Sequence, residues 1–460
     1  MSKFDHRLLT IIFLIFAAAC KSEKAKKGNK LIVDISEDTN TYFSVNGIPQ
    51  PLIGGSNNDN IFQDHPVEPQ LDTLIKYGGN FIRCTLSSRD FANQWPYQQR
   101  GDALYDLNVF SEAYWSRLNK FLKITQHKGI VVQLEIWDTR DFYQANNWAR
   151  HPFNPEYNIN YGDESSLPTE LKTLPDSVVH PFFETVSDTK PNRLVLRYQE
   201  QFIEQLLSVT LPYQHIIYCI NNEYNGNVAW SKYWYGFIKQ KANEQGTNVF
   251  VGDMPGNLEN DVNLVNWLDT EAFDFLDLSV FTLQNSDYFS AIDSMRAVAQ
   301  KPTGLVKVYG GEQNDFTGTI ENGPERFWKS IFAKAATVRF HQPPQGAGLN
   351  RLAQVNLKSV DLLRKNIAFA ELQSANQLLK DRQQGEAYCL SDLAQNHIIY
   401  YPSCGEVKIE MPSEYNQAEV RWLNVLNAQW EEEYILKGQD NITLKSPCEG
   451  KWLVYLKFSI

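Results

Sequence analysis

Short apolar runs alternate with amphipathic stretches along most of the chain. Eight runs have the length and composition of buried strands, and they cover residues 51–55, 80–86, 130–136, 215–220, 249–252, 276–281, 305–309 and 336–340. Between most of them apolar residues recur at helical spacing, as they do at Val195, Tyr198, Phe202 and Leu206. Strands that alternate with helices predict a parallel sheet, and eight such units predict a closed (β/α)8 (TIM) barrel. An open, doubly wound sheet is the main alternative, although no Gly-x-Gly-x-x-Gly follows the first run.

The pattern changes after the eighth run. Residues 352–379 have the spacing of a long helix, and residues 382–385 read as a linker. Apolar and polar residues then alternate with a period of two, as they do around Val407, Ile409 and Met411. This predicts an antiparallel β-sandwich over residues 385–460, behind a barrel domain that covers residues 31–383. Within that domain, residues 31–45 predict a short strand pair with Asn46-Gly47 as its turn.

The first twenty residues have the pattern of a signal peptide. Basic residues precede an apolar core at residues 8–16, and Ala17-Ala18-Ala19-Cys20 follows. The segment resembles a bacterial lipoprotein box, which implies lipidation at Cys20 and a flexible tether over residues 21–30. We therefore expect a lipid-anchored protein of the bacterial cell envelope. An ordinary secretory signal cut before Cys20 and a short N-terminal anchor are the alternatives.

Composition and charge narrow the chemistry. The net charge is −11 and no block of Lys and Arg lies beyond the tether, which argues against a nucleic-acid partner. No Cys-x-x-Cys, His-Glu-x-x-His or Gly-x-Ser-x-Gly motif occurs, and no cofactor or metal is implied. Cys84 and Cys219 lie in apolar runs and are predicted to be buried thiols. Two of Cys389, Cys404 and Cys448 could pair in an exported protein.

Two of the predicted strands end in a glutamate. Asn222-Glu223 follows the fourth strand, and Gly310-Gly311-Glu312 follows the seventh. In a parallel barrel both carboxylates would lie at the C-terminal mouth, where TIM barrels place their active sites. Glycoside hydrolysis requires such a carboxyl pair, so we predict Glu223 as the acid/base and Glu312 as the nucleophile. Each glutamate also fits a simpler role as a cap of the following helix.

These residues resemble a known pattern. Clan A glycoside hydrolases are (β/α)8 barrels with an Asn-Glu pair after strand four and a nucleophilic Glu after strand seven, and Asn222-Glu223 and Glu312 match both positions. The resemblance covers residues 45–345 and implies a retaining mechanism with carboxylates about 5–5.5 Å apart. It also implies that Arg83 on the second strand orients the nucleophile, although Arg83 equally fits a structural ion pair.

The chain departs from the commonest clan pattern at two strand ends. The eighth strand ends in Arg339-Phe340-His341 where many members have a Trp, and Thr282-Leu283-Gln284-Asn285 follows the sixth where many have a Tyr or His. The layout, including the C-terminal sandwich, resembles uncharacterised glycoside hydrolases of glycan-degrading bacteria.

The predicted substrate is an oligo- or polysaccharide of plant, algal or host origin. The candidate binding residues lie at or near the predicted mouth, although Trp137 fits the core equally well and scattered aromatics are usually packing: Asn222, Arg83, Trp137, His341, Trp148 and Tyr309. The aromatic-rich loop at residues 139–192 is predicted to form a wall beside the ligand. A non-catalytic glycan-binding lipoprotein on a degenerate barrel is the alternative function, and a structural surface protein is a third.

Overall fold

The computed structural model describes most of the chain beyond the N-terminal segment. The described residues are 30–36, 40–171, 179–187, 189, 191–256, 267, 272–283, 288–310, 318–341, 346–438, 440–447 and 449–460.

Eight parallel strands form a closed barrel, as the alternating pattern predicts. We number the barrel strands β1 to β8 in chain order: Leu52–Gly55, Phe81–Thr85, Val131–Asp138, Ile216–Asn222, Phe250–Asp253, Phe275–Asp277, Thr303–Val308 and Thr337–Phe340. Strand β8 pairs in parallel with β1, with Thr337 opposite Leu52, and this pairing closes the barrel. The (β/α)8 prediction is therefore confirmed.

Helices surround the barrel. Numbered in chain order, α1 to α10 are Glu68–Lys76, Glu112–Lys128, Arg140–Tyr143, Ala145–Trp148, Arg193–Thr210, Val228–Glu244, Ser279–Leu283, Tyr288–Ala299, Asn322–Phe332 and Arg351–Arg364. Short 3-10 turns lie at Ile61–Gln63, Asp163–Ser165, Pro181–Phe183, Phe369–Glu371 and Asn376–Leu378. Local chemistry sets the helix ends, since the Ser111 hydroxyl accepts from the Tyr114 amide at the start of α2 and Gly129, with φ of 74°, ends it.

Hydrophobic side chains fill two layers of the barrel. Alternate residues of each strand point outward to the helices, where Ile82 and Val132 join the main core, or inward, where Phe81 and Val131 join a smaller interior cluster. The interior cluster also contains Phe43, whose ring lies 5.6 Å from that of Phe275. Phe43 belongs to a small sheet of strands Val33–Ile35, Phe43–Val45 and Ile48–Pro49, which packs at the N-terminal end of the barrel. The C-terminal end therefore remains as the mouth.

Two antiparallel sheets follow the barrel, in agreement with the predicted sandwich. The larger sheet consists of Gln373–Ser374, Tyr388–Ser391, Asn396–Tyr401, Trp452–Ser459, Gln417–Asn424, Gln429–Trp430 and Tyr434–Lys437, and the smaller one of Leu379–Lys380, Glu406–Glu410 and Asn441–Lys445. The central strands of the larger sheet are buried on both faces. Tyr400 and Leu453 join the core of the barrel, whereas Ile399 and Val454 pack in a separate core with Val407 of the smaller sheet.

Several local predictions need correction. The long helix predicted over 352–379 ends at Arg364, and the first strands of the two C-terminal sheets occupy part of its remainder. The sixth strand stops at Asp277, since α7 occupies the residues from Ser279 onward. The Asn46-Gly47 turn connects strands 43–45 and 48–49, so it joins a second hairpin rather than the predicted pair. A further hairpin, Tyr97–Gln99 with Tyr105–Phe110, was not predicted.

Three of the cysteines are buried. Cys84 and Cys219 are buried thiols, as predicted. Cys389 is also a buried free thiol, so the disulfide options that include it are wrong, and Cys448 lies outside the described residues. Among the helices of the described residues, none combines the length and the hydropathy that a membrane span needs.

Candidate active site

Charged and polar side chains from six strands and their following loops meet at the mouth of the barrel. The contributing residues are Asp59 beyond β1, Arg83 in β2, Glu135 and Asp138 in β3, Asn222 and Glu223 at the end of β4, Lys307 in β7, and Arg339 and His341 at β8. Parallel strands bring these positions together, because all their carboxyl ends open on the same face.

Arg83 is the buried centre of an ion-pair network. Its side chain is 0% exposed, and its two terminal nitrogens donate to Asp59 and to Glu135. The implied partner of Arg83 in the resembled clan corresponds to Glu312, which lies outside the described residues. Within the described part of the chain, therefore, Arg83 holds carboxylates of the loop after β1 and of β3.

Asp59 is surrounded by cations. Besides Arg83, its carboxylate lies 3.4 Å from Arg89 and 3.7 Å from Arg339. Burial opposes ionisation of this carboxyl group, but the three arginines and Lys307 outweigh burial and lower its pKa. Asp59 is therefore a fixed negative charge beside the mouth.

A second chain of contacts ties β3 to β4. Arg89 donates to Asp138, and the other carboxylate oxygen of Asp138 accepts from the Asn222 side-chain amide at 3.0 Å. Asp141 lies 3.7 Å from Arg89, and burial together with the nearby Asp138 raises the pKa of Asp141 to about 7. Asn222, the predicted ligand of a sugar hydroxyl, thus has one amide hydrogen committed to the protein.

Glu223 stands at the end of β4 with its carboxylate at the mouth. Its side chain is 28% exposed, and its backbone has a φ of 59°, a left-handed conformation that is uncommon and costly for a residue other than glycine. The ammonium group of Lys307, only 2% exposed, donates to Glu223 Oε1 and, at 2.6 Å, to Asn222 Oδ1. Lys307 lowers the pKa of Glu223 and outweighs burial in doing so.

Tyr309 and His341, which directly follow β7 and β8, are in contact with each other. Their rings meet edge to face at 4.7 Å, and after burial Glu223 and Asp59 are the next largest causes that raise the pKa of Tyr309. The Arg339 guanidinium lies 2.8 Å from His341 Nδ1, and since it has no acceptor, Nδ1 must accept and the ring hydrogen resides on Nε2. Burial and Arg339 lower the pKa of His341, so the ring is neutral.

The two predicted tryptophan platforms need correction. Trp148 is 0% exposed and donates to the Pro168 carbonyl at 2.7 Å, and Trp137 is 4% exposed among the rings of Phe182, Phe202 and Trp234. Neither ring has a free face on which a sugar could stack, so both support the mouth from the core. The physical reason is the number of aromatic residues in the loop after β3, which are sufficient to pack against one another.

Two predicted functional residues lie outside the described part of the chain, namely Glu312 and Cys20. Within the described ranges no cluster of His, Cys, Asp and Glu has the arrangement of a metal site.

Lys307 and Asp59 are among the site residues that were not predicted from the sequence. Lys307 is a lone cation inside the apolar run 305–309, and such a placement is a signal that a buried partner exists. Asp59 lies in the polar stretch Ser56-Asn57-Asn58-Asp59-Asn60 directly after β1, and its place beyond a barrel strand is the signal that could have found it.

Comparisons with known proteins agree with this fold. The model of a domain of unknown function, DUF6298, matches residues 98–303. No curated protein matches the sequence. A glycoside hydrolase of family 5 from Bacteroides vulgatus superposes with a TM-score of 0.62 and 11% identity, over 94% of this chain and 93% of that one. A structure described as a glycoside hydrolase gives a TM-score of 0.61 and 12% identity, over 94% and 97%.

A third solved structure carries a ligand. It is a mutant of a family 5 mannosidase from Rhizomucor miehei in complex with mannosyl-fructose, with a TM-score of 0.50 and 14% identity, over 73% of this chain and 99% of that one. These likenesses establish that the chain has the fold of the clan A glycoside hydrolases, as the resemblance implied.

Proposed function

We propose that the protein is a glycoside hydrolase that cleaves a glycan with retention of configuration. The observation that carries the proposal is the carboxylate of Glu223, which a strained backbone holds, partly exposed, at the mouth of a barrel shared with glycoside hydrolases. Strain of this kind persists where the surrounding structure enforces it, and it concentrates at active sites.

In the proposed reaction Glu223 is the acid/base and Glu312 is the nucleophile. Glu223 protonates the departing glycosidic oxygen while Glu312 attacks the anomeric carbon, and a covalent glycosyl-enzyme forms. Glu223 then takes a proton from a water molecule, and this water attacks the anomeric carbon. The bond between the sugar and Glu312 breaks, the sugar leaves, and Glu312 is again a free carboxylate. Asn222 and His341 lie near enough to the mouth to contact sugar hydroxyls, and the neutral His341 offers a donor at Nε2.

Hydrolysis of a panel of aryl glycosides and of plant, algal and host polysaccharides tests the proposal. We expect Glu223→Gln and Glu312→Gln each to lower kcat/KM by at least about a hundredfold, because each removes a group that acts in the transition state. Glu321→Gln is the matched control, since Glu321 is exposed and lies nine positions after Glu312 in the sequence, and it should leave the rate unchanged.

The two roles give different signatures. With an aryl glycoside whose leaving group needs no protonation, azide should restore turnover to Glu223→Gln, since azide replaces the water that the base activates, but not to Glu312→Gln. Glycan binding without turnover across the whole panel would instead support the non-catalytic alternative.

We further propose that the protein is anchored to the cell envelope through a lipid on Cys20. The signal-peptide pattern and the basic tether support this location. Cys20→Ala should move the protein from the detergent phase to the aqueous phase in a detergent-partition experiment. An unchanged partition of this variant would remove the lipid anchor from the proposal.

A further inference from the structure

Strand β7 contains a bulge at the level of the mouth. On β8 the step from Val338 to Phe340 spans two residues, whereas on β7 the paired step from Leu305 to Val308 spans three. One extra residue is therefore accommodated in β7. Bulges of this kind re-aim side chains and are frequent beside active sites.

The bulge changes the direction of Lys307. Leu305 and Val308 belong to the core between barrel and helices, and Val306 belongs to the barrel interior. Regular alternation would send Lys307 outward with Leu305, into the apolar helix layer. Instead its ammonium group reaches the mouth, where it contacts Asn222 and Glu223.

We propose that Lys307 is a positioning residue for Glu223, because its ammonium group holds the carboxylate in one orientation at the mouth through a charge-assisted hydrogen bond. The inference rests on the proposed function, in which Glu223 is the acid/base. Two independent observations support it, namely the bulge that aims the lysine and the double contact to both members of the Asn-Glu pair.

The other charged groups that face Glu223 do not replace Lys307. Arg140, the first residue of α3, also favours the ionised form of Glu223, and Asp138 of β3 opposes it. Tyr309 follows β7 and remains neutral, because burial raises its pKa. Lys307 makes the largest electrostatic contribution and is also in direct contact with the carboxylate.

This arrangement has a consequence for the pH dependence. A general acid must carry a proton, and the protonated fraction falls as the pH rises through the pKa of the group. Because Lys307 lowers the pKa of Glu223, the wild-type protein should lose its acid at a lower pH than it would without the lysine. Removal of Lys307 should therefore move the basic limb of the kcat/KM profile to higher pH.

The first test needs no substrate. Carbon-13 NMR of selectively labelled glutamate carboxyl groups follows the titration of Glu223, whose signal is assigned by its absence in Glu223→Gln. In the wild-type protein the Glu223 midpoint should lie below those of exposed glutamates, and in Lys307→Met it should move to higher pH. Lys307→Arg keeps the cation and should keep the low midpoint.

Lys301→Met is the matched control for the loss of a buried lysine. Lys301 precedes the opposite end of β7 and donates to the carbonyls of Ala272 and Phe273, both at 2.8 Å. This variant should leave the Glu223 midpoint unchanged. A wild-type midpoint at or above those of exposed glutamates would overturn the proposal even if Lys307→Met failed to fold, and so would an unchanged midpoint in Lys307→Met.

The second test separates this inference from the proposed function. If a glycan is hydrolysed, the basic limb of Lys307→Met should shift upward in parallel with the NMR midpoint. If the protein hydrolyses a glycan but Lys307→Met shifts neither the basic limb nor the NMR midpoint, the role of Lys307 is contradicted and the proposed hydrolase function is still supported. If no glycan is hydrolysed but the midpoint shifts, the proposed function is contradicted and the coupling between Lys307 and Glu223 is still supported.

Discussion

The two sides of the barrel mouth are built differently. On the side of β1 to β3, Arg83 and Arg89 connect Asp59, Glu135 and Asp138 in a network in which most charges have two or more partners. On the second side, formed by β4 and β7, there is a single ion pair, Glu223 with Lys307. The carboxylate of that pair is more exposed than those of the network, at 28% against 13% for Asp59 and 0% for Glu135.

The difference indicates that one side of the mouth is structural and the other can take part in the reaction. A buried charge with several partners cannot move or change protonation without leaving another charge uncompensated, so the first side is rigid. A carboxylate with one cationic contact and access to solvent can exchange that contact for a substrate and a proton. Two unusual backbone features, the left-handed Glu223 and the bulge in β7, belong to the second side.

The largest effect is expected from loss of Arg83. Arg83→Met leaves Glu135 without its cation in a fully buried place and removes one of the three arginines around Asp59. Loss of one partner of a buried pair typically costs about 3–5 kcal/mol, and we expect a decrease of that size in the free energy of unfolding. Denaturant unfolding at neutral pH measures it.

Arg100→Met is the control for this variant. Arg100 pairs with Asp102 at 3.3 Å in the exposed hairpin, where both side chains are about half exposed. A loss of at most about 1 kcal/mol is expected there, because exposed pairs contribute little. If Arg83→Met cost no more than Arg100→Met, the first side of the mouth would not be the rigid side.

A smaller effect is expected from the pair on the second side. In a double-mutant cycle of Glu223→Gln and Lys307→Met, we expect a coupling energy of roughly 0.5–3 kcal/mol at neutral pH. Since the folded-state pKa of Glu223 is lowered, its stabilising contribution is present above the unfolded-state pKa and is lost as the pH falls through the folded-state pKa. Urea unfolding of the four proteins at several pH values gives both quantities.

A coupling energy that stayed constant down to acidic pH would contradict this account. It would mean that the two side chains interact through packing rather than through charge, since Gln and Met differ from the native residues in charge as well as in shape.

The barrel was predictable because its signals are local. Runs such as residues 130–136 and the helical spacing of Val195, Tyr198 and Phe202 repeat often enough to define eight units without knowledge of contacts. The prediction of a long helix over 352–379 was wrong because it too used only local signals. The apolar spacing continues past Arg364, but strand pairing places part of the remainder in the C-terminal sheets.

The site was less predictable because its contacts are distant along the chain. Glu223 and Asn222 could be predicted at the mouth from their position alone, since they lie at the end of a strand. The partners of Arg83 could not be read from the sequence, because a closed barrel decides which carboxylates it meets. The position of Lys307 at the mouth could not be predicted, because it depends on a bulge that is visible only in the pairing of β7 with β8.

The smallest effect is expected from loss of Arg140. It compares a cation that acts on Glu223 from a distance with one that contacts it. Arg140 is exposed and acts on Glu223 through the field alone, whereas Lys307 is buried and hydrogen-bonded to it. Arg140→Gln should raise the Glu223 midpoint by less than Lys307→Met does and should change the free energy of unfolding by no more than about 0.5 kcal/mol. In about 1 M salt, where screening acts over roughly 3 Å, the effect of Arg140→Gln should vanish while that of Lys307→Met persists. Carboxyl NMR titrations at low and high salt decide between them, and equal loss of both effects in salt would show that the Lys307 pair is as accessible to ions as the rim.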